Sequence, residues 1–196
     1  MPLTWATVTA LAAACSPSIA PSTLAAVAKV ESGFDRLAIG VNGATRQQIH
    51  PTNLADAVST ATQLLKAGRN IDLGLAQINS GNLGRLGLSV ERAFDACANL
   101  EASGRVLLAA YAGAPAHGDG TGLAVLQALS VYNTGRADRG FRNGYVAKVT
   151  SAAAALPSLP TGETQPRPAP PAWDVFAQAE TNVSFVTTPT APGANP

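Results

Sequence analysis

Glu31 is the carboxylate whose setting in the sequence suits acid–base chemistry. Leu24, Val27, Ala28 and Glu31 recur at i, i+3, i+4 and i+7, so one apolar helical stripe ends in a carboxyl group. Burial there disfavours the charged form. The negative end of the helix dipole, one residue before Gly33, does the same. Both push a glutamate towards the pKa of a general acid working near neutral pH. A single glutamate at a helix end is most often only a solvated residue, so the assignment needs company from elsewhere in the chain.

That company comes as three further runs. Gly74-Leu75-Ala76-Gln77-Ile78-Asn79 supplies two amides, which both donate and accept and so suit hydroxyl and acetamido groups. Ser130-Val131-Tyr132-Asn133-Thr134-Gly135 and Gly144-Tyr145-Val146-Ala147-Lys148-Val149 each carry a tyrosine. Other chemistries are missing. The sequence has no Gly-x-Ser-x-Gly nucleophile elbow and no phosphate-binding glycine loop ending in Lys-Ser or Lys-Thr. Its two histidines, His50 and His117, are far apart and outside any metal-ligand spacing, so neither a metal nor another cofactor is expected.

Taken in order, Glu31-Ser32-Gly33-Phe34 and these three runs resemble the lytic transglycosylases of the goose-type lysozyme superfamily, over residues 21 to about 150. Val131 stands where that family commonly has alanine. The gap from Glu31 to Gly74 is longer than in its simplest members. That gap, with residues 38–42 and 94–100, resembles the branch found with type IV secretion and conjugation machines. The resemblance implies an all-α, lysozyme-like domain with a cleft, acting on the glycan strands of peptidoglycan in the periplasm. It implies that Glu31 protonates the bond between N-acetylmuramic acid and N-acetylglucosamine and then closes a 1,6-anhydro ring. It also implies that Ser32 supports the helix end. Gln77 and Asn79 would line the sugar cleft, Tyr132 and Asn133 would reach the glutamate and substrate from a facing helix, and Tyr145 would pack beside the acid. Core packing is the competing role for both tyrosines. A glycosidase of the usual kind needs a second carboxylate. Asp35 and Asp72 are the nearest in sequence, and neither belongs to a motif that assigns it that work. A hydrolytic muramidase using Asp72 and a wall-binding assembly factor without activity are therefore the rival readings.

The elements that must position these residues are helical. Apolar residues make up 46% of the 196, much of that alanine, and charged residues only 13%, against about 25% in soluble domains. Alanine loses almost no side-chain entropy in a helix. Helices are expected over residues 21–32, 53–68, about 89 onward, through Leu100 to Tyr111, 123–133 and 145–155. Residues 35–50 carry no clear period and read as a loop. Residues 1–14 read either as a signal-peptide core lacking its basic start or as a first helix with Leu3, Thr7, Ala10, Leu11 and Ala14 on one face. No apolar run is long enough to span a bilayer. The net charge of +1 gives no footprint for nucleic acid. Cys15 and Cys97 are compatible with one disulfide or with two buried thiols; a protein working on the cell wall would favour the disulfide. The domain is expected over residues 1–156. Residues 157–196, rich in Pro and Thr, read as a disordered tail, in which Trp173 to Phe176 would be a docking segment for components of the secretion system.

Overall fold

The computed structural model describes residues 2–118 and 122–155. The tail expected over residues 157–196, with its docking segment, lies outside them. Helices dominate, as the alanine-rich composition requires. They are α1 (Trp5–Cys15), α2 (Pro21–Ser32), α3 (Leu54–Lys66), α4 (Leu83–Leu86), α5 (Ala96–Ala112), α6 (Leu123–Thr134), α7 (Arg139–Arg142) and α8 (Tyr145–Ala154). Local signals set their limits. Asn53 and Asp95 cap α3 and α5 by accepting from the backbone N–H of Asp56 and Ala98. Pro21 opens α2, where its missing N–H costs nothing. Gly33 closes α2 in the left-handed conformation that only glycine takes without cost, at φ +63°.

The segment read as a loop instead contributes to a small antiparallel sheet. Strands β1 (Ile39–Val41), β2 (Gln47–Ile49), β3 (Ile71–Leu73) and β4 (Ile78–Asn79) pair in the order β2-β1-β3-β4. Each is two or three residues long, too short to show an alternation of apolar and polar positions. The region around Ser89 also differs from expectation: it forms a single 3-10 turn, Arg92–Phe94, rather than a helix.

Two apolar clusters result. One gathers α1, α2, α5, α6 and α8 around Leu24, Val27, Leu100, Leu129 and Val149. The other lies between the sheet, α3 and α4, around Ile39, Ile71, Leu73 and Phe94. Helix α5 serves both, giving Leu100 and Leu107 to the first and Ala102 to the second. Helix α1 packs into the first cluster through Val8 and Ala12, with Leu3, Trp5 and Leu11 at its edge. This corrects the expected face, since Thr7, Ala10 and Ala14 are exposed. Apolar residues surround this helix, so periodicity does not decide which side is buried. The expected disulfide is present. It joins Cys15 at the end of α1 to Cys97 in the first turn of α5, a sequence separation of 82.

Candidate active site

A cleft of about 410 Å³ opens between the sheet and α6, with Glu31 among its lining residues. The helix that carries Glu31 is buried continuously from Thr23 to Ala28, so the first cluster fixes its position. Glu31 itself is half-buried. Tyr145, at the start of α8, donates its hydroxyl to Glu31 Oε1 at 2.7 Å. Burial pushes the Glu31 carboxyl from 4.5 up to about 7, and the charge of Asp72 adds to the rise; the Tyr145 hydrogen bond and the charge of Arg46 pull the other way without cancelling it. Near neutral pH this group therefore exists in both forms, able to give a proton and to take one back. Burial and the nearby glutamate raise the Tyr145 hydroxyl well above its usual range, so it keeps its proton and donates it to the Glu31 carboxyl.

The loop from Gly74 to Gln77 forms the wall beside the acid, and buried polar groups hold it from several sides. Gly74 adopts φ +76°, and a Cβ there would collide with the Ala93 carbonyl and the Asn99 amide. Asn99, fully buried on α5, accepts from the Ala76 N–H at 2.7 Å and donates to the carbonyls of Leu73 and Ala93. Its short polar contacts satisfy backbone groups that would otherwise be buried without partners. Ser32 donates to the Leu75 carbonyl at 2.6 Å, tying the end of α2 to this loop. Tyr132 donates to the Ala76 carbonyl at 2.7 Å, and Ser103 lies 3.1 Å from the same hydroxyl. Because the phenol proton goes to Ala76, Ser103 is the donor of that second bond. Gln77, at φ +51°, turns its side-chain amide back to donate to the carbonyls of Ala38 and Gly74.

Asp72 on β3 is the second carboxylate of the cleft. Its Oδ1 accepts from Asn79 at 2.7 Å. Its Oδ2 accepts from Asn42 at 3.1 Å and Arg46 at 3.4 Å. Asn79 also exchanges hydrogen bonds with Asn70 and accepts from the Gly81 N–H, so its amide is engaged within the sheet. Asp35, the other acidic candidate, pairs with His50 at 2.8 Å and is not among the residues lining the cleft.

The site residues expected from sequence thus fall into two sets. Glu31, Gln77, Asn79, Tyr132 and Asn133 all line the cleft. Ser32 and Tyr145 stand behind it, bonded to the wall and to the acid. Asn133 faces the cleft while its side-chain oxygen accepts from Asn143 at 2.9 Å. Several participants were not singled out from sequence, among them Arg46, Arg85, Asn99 and Ser103. Arg46 lies in the connection between β1 and β2, whose pairing no sequence signal announced. Asn99 and Ser103 are buried polar residues on the apolar helix α5. An asparagine and a serine inside an alanine-rich helix were the available clue, because such groups stay buried only when bonded. Among the described residues no cluster of His, Cys, Asp or Glu is arranged to hold a metal ion.

Residues 9–153 match the sequence profile of the family described as Transglycosylase SLT domain. The protein virB1 of Agrobacterium fabrum (strain C58) is 41% identical over 179 residues, covering 89% of this chain and 72% of its own length. The protein virB1 of Rhizobium radiobacter is 42% identical over 179 residues, covering 89% of this chain and 74% of its own. The type IV secretion system protein virB1 of Brucella abortus biovar 1 is 39% identical over 149 residues, which are 73% of this chain and 62% of that protein. No solved structure matches.

Proposed function

The chain belongs to the Transglycosylase SLT domain family, and from that premise we propose that it cleaves the β-1,4 bond between N-acetylmuramic acid and N-acetylglucosamine in peptidoglycan without consuming water. The Glu31 carboxyl gives its proton to the glycosidic oxygen as the bond to the muramic anomeric carbon breaks. The resulting Glu31 carboxylate takes a proton from the muramic 6-hydroxyl, whose oxygen attacks the same anomeric carbon and closes a 1,6-anhydro ring. The proton lost in the first step is regained in the second, so the acid is restored and no co-reactant is used. An attacking group tethered within the substrate removes much of the entropic cost of bringing in a second reactant, roughly 7–11 kcal/mol in well-oriented cases.

One observation carries this reading: burial in the cleft raises the Glu31 carboxyl to about 7 while its oxygen rests on the Tyr145 donor. The oxygens of Asp72 already accept from Asn79, Asn42 and Arg46, which leaves them poorly placed to activate water. Gln77, Asn133 and the cleft they line have the amide chemistry suited to sugar hydroxyls and acetamides. The Brucella relative's name, type IV secretion system protein virB1, supports the setting. In it the enzyme acts in the periplasm, opening the wall locally for a type IV secretion or conjugation apparatus. No helix among the described residues is long and apolar enough to cross a membrane.

The test uses purified protein and isolated sacculi. The wild-type chain is expected to release soluble muropeptides, and Glu31→Gln to release them at least about a thousandfold more slowly while melting as a folded protein, since removing the only transferable proton removes both acid and base steps. Sacculi that bind the protein yet stay intact would mean a wall-binding factor. Equal release by Glu31→Gln would place the chemistry on another group.

A further inference from the structure

The cleft holds more positive charge than the proposed proton transfers require. Two guanidinium groups line it, Arg46 and Arg85, against the carboxylate of Asp72 and a glutamate that is largely protonated below about pH 7. The whole chain carries only +1, so this is a local feature and not a reflection of overall charge. Arg46 is already committed to Asp72. Arg85, exposed on α4, is not. It donates to the side-chain oxygen of Asn82 at 3.2 Å and takes part in none of the ion pairs among the described residues.

The neighbouring lining side chains Asn79, Asn82 and Asn133 are neutral amides, adequate for hydroxyls and acetamides. A guanidinium offers five donors in a planar fork, accepts nothing, and matches a carboxylate with two parallel hydrogen bonds. A purely neutral sugar chain would leave that fork without its natural partner. The geometry points to Arg85 as a specificity residue that pairs with a carboxylate carried by the muramic acid substituent. This rests on the glycan-cleaving reading above and names the part of the substrate that the cleft recognises beyond its sugar ring. The carboxylate has two sources. It is the free lactyl group where the stem peptide has been removed, or an acidic residue of the peptide where it remains.

The experiment measures KM and kcat of the full chain on glycan strands bearing peptides and on strands stripped by an amidase to free lactyl groups. Each is also prepared with its carboxylates converted to amides. For the wild type, amidation is expected to raise KM about tenfold, the size of one exposed charge-assisted contact. In Arg85→Gln the ratio of KM on amidated to carboxylated strands should fall towards one, with Arg85→Lys in between. Matching melting temperatures guard against a folding defect. A loss of discrimination on stripped strands identifies the lactyl carboxylate; a loss only on peptide-bearing strands identifies the peptide. An Arg85→Gln chain that discriminates as well as wild type, or a wild type indifferent to amidation, overturns the proposal while leaving cleavage intact. Failure of the wild type to cut any strand overturns the functional reading instead.

Discussion

Glu31 has a cost as well as a use. A carboxyl whose pKa rises on folding is held in its neutral form by the native state, so the folded chain binds more protons than the unfolded one between about pH 4.5 and 7. Stability contributed by this group therefore falls as pH rises through that window, and the full penalty is present above it. At about 1.4 kcal/mol for each pKa unit, the rise to about 7 corresponds to roughly 3 kcal/mol. Glu31→Gln removes the ionisation while keeping the shape and an acceptor for Tyr145. Denaturant titrations should show this variant more stable than wild type at pH 8 by up to roughly 3 kcal/mol, with the difference vanishing below about pH 4.5. A pH-independent difference would contradict the burial argument. Tyr145 acts on the same group in the opposite sense, since its hydrogen bond lowers the Glu31 pKa. Tyr145→Phe should move the alkaline limb of the kcat/KM profile to higher pH and reduce the maximum by about one to two orders of magnitude, as the acid loses an orienting contact. A limb that stays in place would mean that the hydroxyl has no hold on the glutamate.

Elements became legible in proportion to how local their signals are. Helix α2 announces itself through Pro21, the stripe from Leu24 to Glu31 and Gly33, and the structure places it at Pro21–Ser32. The helices expected over 53–68, 123–133 and 145–155 appear as Leu54–Lys66, Leu123–Thr134 and Tyr145–Ala154. The sheet was not legible, because pairs such as Ile39 with Leu73 join residues distant in sequence through strands of three residues. The role of Asn99 was hidden for the same reason: its partners at Leu73, Ala76 and Ala93 converge only once the sheet and α5 have met. Within the site, Glu31 and the cleft-lining amides stood out by motif, whereas Arg46 required the connection between β1 and β2 to be folded over Asp72. At this scale the disulfide makes a direct prediction. It closes a long loop between α1 and α5, and Cys97 is exposed to reductant. Reduction, or replacement of both cysteines by serine, should lower stability by about 2–4 kcal/mol. An unfolding midpoint unaffected by dithiothreitol would contradict this.

For the whole molecule, the cleft lies between parts that the chain supplies far apart. Helix α2 brings the acid, the sheet brings Asp72 and its donors, and α6 brings Asn133. Helix α5 contributes to both apolar clusters beneath them, so the two walls of the cleft are anchored on one shared helix. A preformed site of this kind suits a reaction in which the substrate provides its own nucleophile and the protein needs only to hold the muramic 6-hydroxyl towards the anomeric carbon. The central claim is therefore that water takes no part in bond cleavage. Digestion of purified sacculi in heavy-oxygen water, followed by mass spectrometry of the first muropeptides released, tests it most directly. The account predicts anhydro-muramic ends, one water lighter than reducing ends and free of heavy oxygen. Reducing ends carrying the label in the initial products would show that water attacked, with Asp72 the first group to suspect, and would contradict it.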